Sequence, residues 1–145
     1  MAKGYPDFFG YSIFPQYGAP KIYEGSIAAQ PANTWDDLVV INAKGRILSG
    51  YFGAYTVGDE ANARFKLTVD ADEWEMYSFE GMFRTSLVKG VNFPIQCTHY
   101  NDVAGLYRFS IQPELSFVTL FKIEAQSPPA NTMDSGAVIF WSQVS

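Results

Sequence analysis

Turn-forming residues break this chain at short intervals, and that spacing limits what it can fold into more than any other feature. Twelve glycines and eight prolines are spread along 145 residues. Between them lie apolar segments too short for sustained helix, at turn spacings of about 8–12 residues. Crossover helices of a dozen residues have no room, so a parallel α/β sheet is disfavoured. No fixed-period repeat stands out, which argues against a propeller or solenoid. The segments themselves suit a pleated sheet. Val and Ile outnumber Leu by 19 to 7, and 24 residues are aromatic; stiff or flat side chains of these kinds favour strands.

The clearest strand is the stretch 64–70, where Phe65, Leu67 and Val69 alternate with Arg64, Lys66, Thr68 and Asp70. That period of two predicts one buried face and one wet face. Further strands are expected over 22–29, 35–42, 46–56, 74–79, 93–98, 106–111, 115–125 and 137–141. The continuous run Leu38-Val39-Val40-Ile41 reads as a strand covered on both faces. Gly50 and Gly53 predict a bend, a bulge or a close backbone approach within 46–56. A short helical turn is expected near 81–87, and the segment 126–136, with its Ser-Pro-Pro-Ala-Asn run, reads as a loop. Eight to ten short antiparallel strands make a sandwich or barrel.

Residues 1–20 stand apart. Three prolines and three glycines disfavour helix or a central strand there, yet the segment carries Tyr5, Phe8, Phe9, Tyr11, Phe14 and Tyr17. Such an apolar surface calls for a cover. Either it folds back on its own domain, or it extends as an arm, up to roughly 65 Å long, onto a neighbouring subunit. In the second case those six aromatics are subunit-interface residues. The domain division is then an arm over 1–20 and one β-sandwich over 21–145.

Charge excludes several partners. Only 17% of residues are charged and the net charge is −5, which disfavours electrostatic capture of nucleic acid or anionic lipid. No run of 18 apolar residues is present to span a bilayer. No secretory signal core is visible, and a single cysteine cannot close an internal disulfide.

Catalytic and metal patterns are equally sparse. Cys97 and His99, two apart on a strand, would share a face, but no cysteine-protease signature surrounds them. One Cys and one His are too few for a zinc site, and the acidic clusters Asp36/Asp37, Asp59/Glu60 and Asp70/Asp72/Glu73 lack an EF-hand pattern. No nucleophile elbow, phosphate-binding loop or dinucleotide fingerprint occurs. The expectation is a non-enzymatic protein with no catalytic residues, no metal and no cofactor. Aromatics are the remaining candidates. Trp35, Tyr51, Tyr55 and Trp74 lie near loops or glycine-rich bends and are the candidates for stacking on a ligand such as a sugar ring. Packing in a core or an interface is the competing use, since interface cores are enriched in Tyr, Trp and Phe.

The run Gly45-Arg46-Ile47-Leu48-Ser49-Gly50-Tyr51-Phe52, the stretch 64–70 and Ser78-Phe79-Glu80-Gly81-Met82 together resemble accessory structural proteins of phages. The resemblance is one of style over most of the chain. It implies an all-β fold, an antiparallel β-sandwich of jelly-roll kind with an extended N-terminal arm. It also implies a virion location after synthesis in the host cytoplasm, as a capsid decoration, minor capsid or tail component. The implied partners are further copies of the chain, a trimer being favoured, and other virion proteins such as the major capsid protein. Nucleic acid and membrane are not among them. The alternative function is a carbohydrate-binding or receptor-recognition β-sandwich module.

Overall fold

The computed structural model describes residues 20–57, 62–89, 95–111 and 115–144. Within them the fold is all-β, with two antiparallel sheets packed face to face and one helix. The strands are β1 (Lys21–Gln30), β2 (Trp35–Ile41), β3 (Gly45–Tyr55), β4 (Arg64–Val69), β5 (Asp72–Ser78), β6 (Ile95–Asn101), β7 (Leu106–Ile111), β8 (Ser116–Phe117), β9 (Phe121–Gln126) and β10 (Met133–Gln143). The helix, α1, is Phe79–Lys89. One sheet runs β1-β10-β3-β7-β6, with β8 also pairing β3; the other runs β2-β9-β4-β5. The proposed arm over 1–20, with Tyr5, Phe8, Phe9, Tyr11, Phe14 and Tyr17, lies outside the described residues except for Pro20.

Pairing is nested. β1 pairs β10, β2 pairs β9, β3 pairs β8 and β4 pairs β5. Each pair in turn belongs to the sheet opposite the last, while β6 and β7 pair with each other outside this nest and extend the first sheet beside β3.

Phenylalanines fill the space between the sheets. Phe52 on β3 and its ladder partner Phe109 on β7 stack at 5.6 Å. Phe65 crosses from β4 to meet Phe52 edge-on at 4.6 Å. Phe79, the first residue of α1, stacks on Phe65 at 5.1 Å and tilts against Tyr107 and Phe109. Such pairs add about 0.5–1.5 kcal/mol each beyond the area they bury. Part of the aromatic surplus is therefore core, and all four of these phenylalanines are fully buried.

Both open sides of the sandwich are closed. At one side β1 crosses over β2, where a Cβ on Gly25 would run into the carbonyl of Leu38 and the Tyr23 hydroxyl accepts the Val40 amide at 3.3 Å. At the other side α1 spans β5 and β6. Ser78 caps it, its Oγ accepting the Gly81 amide at 3.2 Å, as expected of an N-cap serine. Phe83 lies flat on Tyr100 at 4.4 Å.

Three expectations change. The apolar run 38–41 is not a strand covered on both faces, since Val40 is only half-buried. β2 is an edge strand, and a bulge between Asp37 and Val39 lets Leu38 and Val39 both be buried, Leu38 beneath β1. The stretch 115–125 is not one strand. It serves one sheet as β8, breaks at 118–120, and serves the other sheet as β9. The segment 126–136 is not all loop, because β10 begins at Met133.

The break at 118–120 has a clear cause. Asp70, at φ +56°, closes the turn between β4 and β5. Its Oδ1 accepts the amides of Thr119 at 2.7 Å, Val118 at 2.9 Å and Leu120 at 3.1 Å, plus the Thr119 hydroxyl. Three consecutive amides turned toward one carboxylate cannot also serve a ladder.

Candidate functional site: a transverse groove

The outer faces of the two sheets differ in chemistry. On β2-β9-β4-β5, charges interlock: Lys66 pairs Glu124 at 3.3 Å, Arg64 pairs Glu75 at 2.8 Å, and Lys122 reaches Asp37 and Glu124. Trp35 lies at the edge of that lattice with the Lys66 ammonium 5.2 Å over its ring. This is a solvated face whose charges are already paired.

The outer face of the six-stranded sheet carries few charges. Register places its side chains in rows, since directly paired residues share a face. One row reads Ser26 on β1, Gly136 on β10, Gly53 on β3, Arg108 on β7 and His99 on β6. The row on one side reads Glu24, Val138, Tyr51, Ser110 and Gln96. The row on the other side carries Asp134, Tyr55, Leu106 and Asn101. Two adjoining glycines thus form a floor with no side chains, and Tyr51 and Tyr55 rise on either side of it, about 13 Å apart along β3.

The result is a groove running across the strands. Around Gly53 and Gly136, between Tyr51 and Tyr55, lies a depression of about 360 Å³. It meets a second, of about 520 Å³, that shares Tyr51 and Gly136 and extends to Glu24 and Ser26. It meets a third, of about 380 Å³, that shares Arg108 and Leu106 and extends to Thr98 and His99. Tyr51 is 44% exposed and Tyr55 47%, so each ring is partly open to a ligand. The Arg108 guanidinium lies over the Tyr51 ring at 5.2 Å, and Asp134 is fixed by the Ala29 amide at 2.6 Å.

The two glycines differ in why they are glycines. A Cβ on Gly53 would strike the Tyr107 carbonyl of the neighbouring strand, so packing demands it. A Cβ on Gly136 would find only the Gly25 carbonyl oxygen, at an ordinary 3.7 Å. Glycine inside a strand costs about 0.5–1 kcal/mol relative to alanine, and a glycine that packing does not require marks a place where a ligand can approach the backbone.

Of the four sequence candidates, Tyr51 and Tyr55 come together on this groove. Trp35 lies on the opposite outer face. Trp74, 40% exposed, is on edge strand β5 opposite Leu67, on the side that leads to the core. Sequence reasoning missed Gly136, Arg108 and Asp134. The available signal was a glycine before the apolar run 137–141, but it read as the end of a loop.

Cys97 and His99 do not form a pair. A bulge between them puts Cys97 opposite Phe109, on the core side, and His99 opposite Arg108, on the outer side. The Cys97 thiol points to the His99 carbonyl at 3.6 Å, not to its ring, and burial pushes its pKa up. That is the reverse of an activated nucleophile. Among the described residues no group of three or more His, Cys, Asp or Glu side chains converges as a metal site. No described helix is long and apolar enough to cross a membrane.

Fold and face together define a β-sandwich with an aromatic-walled groove on one sheet. No family model matches the chain, and no curated protein matches it. Among solved structures it is similar to one described as the crystal structure of FLHE, at 10% sequence identity and a TM-score of 0.43, with 87% of this chain and 99% of that chain covered.

Proposed function

We propose that this protein is a non-enzymatic carbohydrate-binding module that takes its ligand in the groove between Tyr51 and Tyr55. The observation that carries the reading is the pair of exposed tyrosines flanking a floor cleared by Gly53 and Gly136. A sugar ring has apolar C–H faces and a polar rim. Tyrosine offers a flat apolar body with a polar tip at low entropy cost, and Asp134 and Arg108 supply hydrogen bonds at the rim. A glycan array with Tyr51→Ala and Tyr55→Ala as controls tests this. Binding lost by at least tenfold in each variant, at unchanged melting temperature, supports it; an array without hits, or hits indifferent to both tyrosines, overturns it.

A second reading, a virion structural component, draws on the nested pairing of β1/β10, β2/β9, β3/β8 and β4/β5. That pattern supports a jelly roll, an architecture shared by viral capsid and lectin domains; the analogy is one of fold, and fold does not fix function. Exposed Ile22 on edge strand β1, adjoining the aromatic segment 1–20, fits a docked arm. Light scattering is expected to report an oligomer, a trimer first of all, that dissociates when residues 1–20 are removed. A strict monomer in both forms overturns it.

A further inference from the structure

Resting on the carbohydrate reading, we infer that the groove's ligand is an extended acidic oligosaccharide lying across the strands, in which a uronate sits beside neutral sugars. The three depressions adjoin, sharing Tyr51 and Gly136 on one side and Leu106 and Arg108 on the other, and lie along one row of paired residues across β1, β10, β3, β7 and β6. Five strands span about 19 Å, which is room for several pyranose rings in line and far more than one ring needs. The row ends at edge strands β1 and β6, so a chain can enter at one side of the sheet and leave at the other.

Charge sets the ligand's polarity. The ion pairs among the described residues use Arg64, Lys66, Arg84 and Lys122, and none involves Arg108. In a protein of net charge −5, an arginine without a carboxylate partner among the described residues stands in the groove, with Tyr51 beneath it. A planar guanidinium is suited to bidentate capture of a carboxylate. Toward the β1 side the groove meets Asp134 on β10, whose carboxylate already accepts the Ala29 amide, and then Glu24 and Ser26; these accept hydroxyl hydrogens and repel a second carboxylate. One carboxylate at the β7 side and an uncharged ring at the β1 side therefore match the lining. Gly136 keeps the floor between them clear.

Calorimetry with the full chain tests this. The probes are tetrasaccharides of alternating uronate and neutral sugar, hyaluronan and chondroitin fragments among them, each beside its carboxyl methyl ester. The free acid is expected to bind at least tenfold tighter than the ester. Arg108→Gln is expected to bring acid and ester to the same affinity. Gly136→Val, whose side chain enters open space, is expected to lose both by tenfold or more, with an unchanged melting temperature as the check on folding. Acid and ester binding equally to the wild type, or neutral glycans binding through Tyr51 and Tyr55 while none of the acids binds, overturns the inference and leaves the carbohydrate reading standing. If no glycan binds at all, both fall. Acid binding that survives Tyr51→Ala and Tyr55→Ala also overturns both, since it reduces the site to a simple charge contact.

Discussion

Asp70 does more for this fold than its half-buried turn position suggests. It takes up a positive φ that favours Asn, Asp or Gly, and its carboxylate gathers the amides that end β8 and begin β9. Those amides, Thr119 and Leu120 foremost, hold its pKa below the ordinary carboxylate value. The sign follows: the unfolded chain takes up the proton first as pH falls. Asp70 therefore contributes stability in full above the ordinary aspartate range near pH 4, and loses it as pH falls through the lower folded value. Asp70→Asn keeps the backbone conformation but removes the charge. It is expected to lower the urea midpoint at pH 7 and to flatten the acid limb of a midpoint-against-pH curve below the ordinary aspartate range near pH 4. The sequence shows Asp70 as one member of an acidic cluster; that it faces residues 118–120 is a long-range fact with no local signal.

Elements show where glycine is structural and where it is not. β1 can cross β2 only because Gly25 has no side chain over the Leu38 carbonyl, whereas Gly136 has open space above it. Gly25→Ala is expected to destabilise by about 1–3 kcal/mol, the usual range for overpacking. Gly136→Ala is expected to be neutral or to stabilise by up to about 1 kcal/mol through strand propensity. Urea unfolding of both variants checks the contrast. The alternation over 64–70 forecast β4 correctly because a half-buried strand writes its two faces into its own sequence. The run 38–41 misled for a related reason. A bulge doubles up buried neighbours, and from sequence that looks the same as a strand buried on both faces. Cys97 and His99 were separated by the same device, since one extra residue reverses which face follows.

For the whole molecule, the aromatic surplus has two destinations. Among the described residues Phe52, Phe65, Phe79 and Phe109 form a cluster that joins both sheets and α1, while Tyr51 and Tyr55 stand outside beside the groove. Phe52→Ala removes the ring at the centre of that cluster. A loss of about 3–5 kcal/mol is expected for such a truncation. Circular dichroism and tryptophan fluorescence are expected to report it as one shifted, coincident transition, because the same cluster holds both layers.

By itself the sequence determined the all-β class, the antiparallel sandwich and the positions of most strands. Each follows from local facts: side-chain period, β-branched and aromatic content, and the spacing of glycine and proline. It also singled out Tyr51 and Tyr55 by their glycine-rich setting. Only the tertiary structure decided that those two share a groove with Gly136, Arg108 and Asp134 while Trp35 and Trp74 do not. Those neighbours are brought together by the cross-strand register of β3 with β7 and with β10, each more than fifty residues from β3 along the chain. Register is set by packing of the opposite, buried face, so no single segment of the chain carries it.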